Sequence, residues 1–312
     1  SKDYMDFPNL GGEHLEYPPT SPLDHPLLKD TTDILSVIEE QDFLLHTPYQ
    51  KFGEFIRMLR QAAIDPTVEE IKITIYRVAK HSKVINALIN AAQNGKDVTA
   101  VFELRARFDE ESNIFWSKQL EEAGARVVVG FQDLKVHAKL CLIKRVKESG
   151  KKDLAVLGTG NFHEINAKVF SDAFLFTSNP EITKEVRGTF DLFQNSLNIP
   201  KYKHLLVSPI QLRRRLSELI DGEIKNARKN KEAYIVLKLN NLVDKSLINK
   251  LYKASNEGVK ISLIVRSTCS LIPKVKGMSE NIEAISIVDK FLEHTRYFIF
   301  CNGGDELVYL SS

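Results

Sequence analysis

The chain has 312 residues, 43% of them hydrophobic and 27% charged, the composition of a soluble globular protein with room for two domains of ordinary size. Its formal net charge of +2 excludes a global field for polyanions, so any such affinity has to come from local placement of Lys and Arg. No apolar run approaches the roughly 18 residues needed to span a bilayer, and the start SKDYMDFPNLGGEH has no signal-peptide core, so the default location is cytoplasmic.

Residues 1–31 hold Pro8, Pro18, Pro19, Pro22 and Pro26 with Gly11 and Gly12, too many breakers for a helix or strand, and read as an extended linker. In HTPYQKFGEFIRMLRQAA, Thr47 is placed to cap a helix with Pro48 at its first position and Gln50 closing a capping box. Strand and helix signals then alternate: EIKITIYRV, KVINALINAAQNG, DVTAVFELRA, EESNIFWSKQLEEAG, RVVVG. That rhythm predicts an α/β fold with a mixed, mostly parallel sheet flanked by helices. LKVHAKLCLI and DLAVLGTGN add two strands, and NPEITKEVRGTFDLFQ a helix with Pro180 near its start. SPIQLRRRLSELIDGEIKNARK repeats the capping logic with Ser208, Pro209 and Gln211.

Beyond it the earlier order recurs: EAYIVLKLN strand, DKSLINKLYKASNEG helix, VKISLIVRSTC strand. In LINAAQNGKDVTAVFELRA and LYKASNEGVKISLIVRSTC alike, a helix stops at glycine and a strand runs up to an arginine. An internal duplication follows, with a first domain over 32–200 and a second over 201–312. Cys141, Cys269 and Cys301 lie in apolar runs, lack CxxC spacing and read as buried thiols of a reducing compartment.

Alternation in LKVHAKLCLI puts Leu134, Val136, Ala138, Leu140 and Leu142 on one strand face and His137 and Lys139 on the other. One such histidine is ordinarily a hydrogen-bonded part of a fold. The second half, however, has FLEHTRYFIF, where His294 and Arg296 again stand two apart. Such a pair suits phosphoryl or phosphodiester transfer: one imidazole attacks phosphorus and the other handles the proton of the oxygen that leaves or enters. Lys139 and Arg296, with Arg77, Arg107 and Arg266 at or just after strand ends, would neutralise the transferring group. There is no GxxxxGK[ST] and no GxGxxG opening a helix. The cysteines and histidines form no metal-ligand spacing either, so a metal should be Mg2+ carried largely by phosphate oxygens.

The paired His-x-Lys/Arg stretches, each followed by a Gly/Ser-rich turn, resemble the phospholipase D superfamily. The longer blocks IKITIYRVA, ELRARFDEESNIFWSKQLEEAG, LKVHAKLCLI, LGTGNFHEINAKVFSD, LIVRSTCSLIPKVKGMSENIEAISIVDKFLEH and NGGDELVYLSS resemble polyphosphate kinase of the first type, from about residue 40 onward. The resemblance implies two phospholipase D-like domains and reversible transfer of the terminal phosphate of ATP to inorganic polyphosphate through a phosphohistidine. It implies His137 as the phosphorylated histidine, His294 as the second active-site histidine, and Arg77 and Arg107 at a phosphate and magnesium site. It further implies Arg266 at nucleotide phosphate, Asn161 among the phosphate-binding residues and Phe170 where the family commonly has a nucleotide tyrosine. ATP or ADP, polyphosphate and other copies of the full-length chain are the implied partners, nucleic acid is not expected, and peripheral association with the inner membrane face is left open. Family members begin with further domains and continue past the second Ser-rich turn, so the sequence reads as a catalytic core fragment of weak or no kinase activity.

Two other readings stand beside this one. A phospholipase D-like phosphodiesterase shares the histidine logic but would carry an Asp shortly after the Lys of each motif, which HAKLCLIKRVK and HTRYFIFCNGG lack. A non-catalytic polyanion-binding module would use the basic clusters at Arg213–Arg215 and Lys225–Lys231, which helical spacing otherwise makes a solvated face.

Overall fold

Two mixed sheets repeat one strand order in a computed structural model that describes residues 17–103, 110–131, 134–195 and 199–312. The first sheet contains β1 (Phe43–Thr47), β2 (Val68–Ile75), β3 (Asp97–Phe102), β4 (Arg126–Val129), β5 (Leu140–Lys147), β6 (Gly150–Gly158) and β7 (Phe170–Thr177), in the order β1-β7-β6-β5-β2-β3-β4. The second contains β8 (Tyr234–Leu239), β9 (Lys260–Val265), β10 (Ile282–Ile285), β12 (Arg296–Phe300) and β13 (Leu307–Ser311), in the order β10-β9-β8-β12-β13. β4-β3-β2-β5-β6 thus matches β10-β9-β8-β12-β13 strand for strand. Parallel pairing is confined in both to the first three strands, and the last two join antiparallel. A two-residue strand, β11 (Leu292–Glu293), leaves its own half and pairs parallel with Phe170 and Ser171 of β7.

The helices obey the same local rules in both halves. Ser82 accepts from Ile85 N (3.2 Å) to cap α3 (Lys83–Gln93), and Asp244 accepts from Leu247 N (2.9 Å) to cap α8 (Lys245–Asn256). Each ends at a glycine with positive φ, Gly95 at 81° and Gly258 at 91°, where a side chain would be strained. The first half adds α1 (Ile34–Glu40), α2 (Gly53–Ile64), α4 (Glu110–Glu122), α5 (Asn166–Val169) and α6 (Pro180–Gln194), and α7 (Leu212–Arg228) opens the second. Val186 and Phe190 of α6 pack on Val101, Leu142 and Ala155, covering the sheet face opposite the main core of α1–α3.

Four local expectations need correction. Thr47 does not cap a helix: it is the fully buried last residue of β1, and Gln50 Oε1 accepts from His46 N (2.8 Å) to close a turn, so the helix starts at Gly53. Ser208 and Pro209 likewise precede the helix, which starts at Leu212, because Gln211 Nε2 donates to Leu205 O (2.8 Å) instead of serving a capping box. LKVHAKLCLI is not one strand, since Thr74 Oγ1 donates to Ala138 O (2.7 Å) and accepts from Leu140 N (2.9 Å), and regular pairing starts only at Leu140. Cys141 and Cys301 are buried, but Cys269 is exposed in the loop after β9. Among the basic clusters, Arg213 pairs with Asp244, Arg214 and Arg215 with Glu218, and Arg228 with Glu257, as a solvated helix face requires.

Candidate active site

His137 and Lys139 lie in the extended lead-in to β5, anchored by buried Val136 and by the Thr74 hydroxyl. Lys139 is 3% exposed; its Nζ lies 2.8 Å from His137 Nδ1 and also donates to His137 O. Arg296 repeats the return contact in the second half, donating from Nη1 to His294 O (3.1 Å). The two histidine segments are therefore folded by one device, a cation two residues on that fixes the histidine carbonyl.

His294 sits between β11 and β12, and its Nδ1 meets Asp172 of β7 at 2.8 and 3.1 Å. Asp172 is 3% exposed and also accepts from Thr159 Oγ1 (2.6 Å). Gly160 makes room for it: a Cβ there would stand 2.0 Å from Asp172 Oδ2. Thr295 N donates to Ser171 O (2.7 Å) and locks this crossing between the halves. A second crossing runs the other way, with Ser312 Oγ donating to His137 O (3.2 Å). Thr159 and Ser312 each follow the last residue of matching strands, β6 and β13.

His294 and Arg296, from the second half, lie near enough to His137 to act on its charge. His137 is exposed to solvent as a residue. Desolvation by the protein packed around the imidazole, together with Lys139, Arg296, His294 and Arg77, pushes its pKa down to about 3. His137 is thus a neutral imidazole throughout the physiological range. Burial also holds Lys139 well below the usual lysine range, with Arg296 and Arg77 acting in the same direction and Asp172 against them. Arg266, just past β9, donates to Asn240 Oδ1 (2.7 and 3.1 Å), and Asp172 partly offsets the effect of burial on both Arg266 and Arg296. Three arginines, Arg77, Arg266 and Arg296, with the Lys139 amine, near a carboxylate already held by His294, make a site complementary to phosphate. Lys238 and Glu293 pair beside it, and His46, on β1, feels both of them and Asp172.

Of the residues singled out by sequence, His137, Lys139, Arg77, His294, Arg296 and Arg266 share this electrostatic neighbourhood. Phe170 lies with its ring 5.2 Å from that of His294, tilted by 30°. Asn161 follows Gly160, and its Oδ1 is buried with no hydrogen-bond partner among the described residues. Arg107 lies outside the described residues. Among the described residues no three His, Cys, Asp or Glu side chains group as metal ligands, and arginine offers no lone pair to a cation. A protein-held metal therefore does not fit the residues described, and the arginines suit phosphate oxygens. Sequence reasoning missed Asp172, which a carboxylate inside the apolar run FSDAFLF could have signalled, and Tyr76, next to Arg77. A cleft of about 840 Å³, lined by Lys144, Lys151, Lys152, Lys184 and Arg187 with Glu40, Asp42 and Asp153, includes none of these site residues.

Fold and site together define a duplicated α/β protein whose halves converge on a histidine pair set among cations. Residues 33–199 match the family described as Polyphosphate kinase C-terminal domain 1, and residues 205–312 match Polyphosphate kinase C-terminal domain 2. The chain belongs to the polyphosphate kinase family. It is 50% identical over 311 residues to a polyphosphate kinase of Vibrio vulnificus strain YJ016, covering 100% of this chain and 44% of that protein. It is 49% identical over 314 residues to the polyphosphate kinase of Escherichia coli K12, covering 100% of this chain and 46% of that protein. The crystal structure of polyphosphate kinase from Porphyromonas gingivalis superposes with a TM-score of 0.89 at 39% identity, covering 99% of this chain and 51% of that one. The chain thus spans about half the length of the relatives it matches.

Proposed function

We propose that this chain carries the phosphoryl-transfer core of a polyphosphate kinase, moving the terminal phosphate of ATP reversibly onto inorganic polyphosphate with His137 as the covalent carrier. The observation that supports it most is the convergence of His137 and His294, from the two halves, among Lys139, Arg77, Arg266 and Arg296.

In the first step His137 Nε2 attacks the γ-phosphorus, the bond to the bridging oxygen breaks, and its electron pair leaves with ADP. Lys139 favours that nitrogen: with its pKa lowered, its amine can accept the Nδ1 proton and leave the Nε2 lone pair free. His294, held through Nδ1 by Asp172, turns Nε2 toward the oxygen that leaves in the first step and enters in the second. In the second step a terminal oxygen of polyphosphate attacks the phosphohistidine and the phosphorus–nitrogen bond breaks. The arginines stabilise the charge on the equatorial oxygens in both steps. Magnesium belongs to this reading as a companion of the nucleotide, on phosphate oxygens. In this reading Asn161 and Phe170 serve phosphate and nucleotide, and Arg107, outside the described residues, is assigned to phosphate. Division of the chain near residue 200, assembly of the full-length protein into oligomers, no dealings with nucleic acid and a cytoplasmic location complete the reading; among the described residues no helix is long and apolar enough to cross a membrane.

The test is incubation of the full-length protein with γ-labelled ATP followed by a chase with unlabelled oligophosphate. Label should enter an acid-labile, base-stable adduct and then pass to the oligophosphate, and both should vanish in His137→Gln. Labelling undiminished in His137→Gln, or cleavage of DNA or lipid diesters, would overturn the assignment.

A further inference from the structure

The two histidines are held differently, and the difference lies at one position of the duplicated fold. Ile75 pairs with Phe102 at the end of β2, and Leu239 with Val265 at the end of β8, so Tyr76 and Asn240 are the next residues at equivalent places. Asn240 binds Arg266 and leaves His294 to Asp172. Tyr76 instead meets the nucleophile motif itself. Its ring centroid lies 4.9 Å from that of His137 at an interplanar angle of 74°, and Lys139 Nζ lies 5.2 Å over the same ring. Its backbone carbonyl accepts from Asn113 Nδ2 (3.0 Å), and Asn113 also donates to Glu103 O (3.0 Å), so the position is tied to the ends of both β2 and β3.

We propose that Tyr76 is a positioning residue for phosphoryl transfer: its ring fixes the His137 imidazole and holds the Lys139 amine against it by a cation–π contact. The inference rests on the transfer reading above but concerns a residue to which that reading gives no role. A ring at a steep angle to an imidazole restricts its rotation, as edge-to-face pairs do. The electron-rich face of tyrosine favours the ammonium form of a lysine beneath it. Lys139 becomes an ammonium as it takes the His137 Nδ1 proton, and the ring stabilises the charge formed there, against the crowding by burial, Arg296 and Arg77 and alongside Asp172. The phenol hydroxyl is not needed for either effect; the ring is.

Three variants of the full chain separate shape from charge: Tyr76→Phe, Tyr76→Leu, and Tyr76 replaced by pentafluorophenylalanine, which keeps the ring but reverses its quadrupole. The readouts are the titration of Lys139, followed by its side-chain carbon NMR signal, and the ring-nitrogen signals of His137, assigned by their loss in His137→Gln. Phenylalanine should leave both unchanged. Leucine and the fluorinated ring should move the Lys139 midpoint to lower pH by about 0.4 to 1.5 units, the span of a cation–π contact. Leucine alone should also alter the His137 ring signals. In the transfer assay leucine should lower kcat by about 3- to 30-fold with the KM for ATP little changed, and phenylalanine should restore it. An unshifted Lys139 midpoint in the fluorinated protein, or unchanged His137 signals in Tyr76→Leu, would overturn the proposal. Failure of the unsubstituted full-length protein to take up label counts against the transfer reading instead, since the NMR readouts need no turnover.

Discussion

His137 has its pKa pushed down to about 3, below the ordinary histidine value of 6.5, and that has a stability consequence of definite sign. The unfolded chain protonates as pH falls through 6.5 while the folded chain resists it until about 3, so this residue costs stability progressively across that window and nothing above it. Urea midpoints measured from pH 7 to pH 4 should therefore fall less steeply for His137→Gln than for the unsubstituted protein; parallel curves would show that the imbalance is absent. Asp172 acts at the same scale. Asp172→Asn keeps the shape but removes the charge that orients His294, and transfer should slow by about 100-fold or more while the protein stays folded by circular dichroism. Gly160→Ala attacks the same contact sterically, because its Cβ would fall 2.0 Å from Asp172 Oδ2. It should cost about 1–3 kcal/mol in denaturant titration and slow transfer, whereas Gly53→Ala, with open space around it, should do neither. The histidines and their cations were legible in the sequence because each pair spans three residues. Asp172 was not, because it lies 122 residues from the histidine it holds.

Whole elements were read well where periodicity is long and were misread where a single side chain decides the boundary. α3 and α8 were recovered with their terminal glycines, but Gln50 and Gln211, placed in capping boxes by spacing, satisfy loop backbone instead. α1 and β1, at the start of the first domain, were not picked out: they are short, and their anchoring is tertiary. Arg145 of β5, 4% exposed, binds Glu39 of α1 (2.7 Å) and Asp65 beyond α2 (2.9 Å), which no local pattern announces. Removing that guanidinium leaves the largely buried Asp65 without its ion-pair partner and Glu39, among the described residues, with Lys147 alone (2.8 Å). Arg145→Ala should thus destabilise the fold by about 3–5 kcal/mol in urea titration, and a loss within experimental error would mean that water already screens the pair.

At the scale of the molecule, duplication was visible as a recurrence of helix, glycine and strand, yet sequence comparison of the halves could not reveal how they interlock. The interlock comes from β11, which leaves the second half to pair with β7, and from Ser312, which reaches back to His137. Neither half holds the site alone: the Lys139 motif and Asp172 come from the first, and Arg266, His294 and Arg296 from the second. A site of that kind should bind long polyanions mainly through charge, so raising the salt concentration should raise the KM for polyphosphate more than it lowers kcat. The most direct test is to locate the phosphate. Peptide mapping by mass spectrometry under neutral to alkaline conditions, after a brief exposure to ATP, should find a single phosphoryl group on His137 and none on His294. The same phosphate should appear on His137 in Asp172→Asn, formed more slowly. Phosphate on His294, or on a hydroxyl side chain with His137 unmodified, would contradict the division of labour between the two halves.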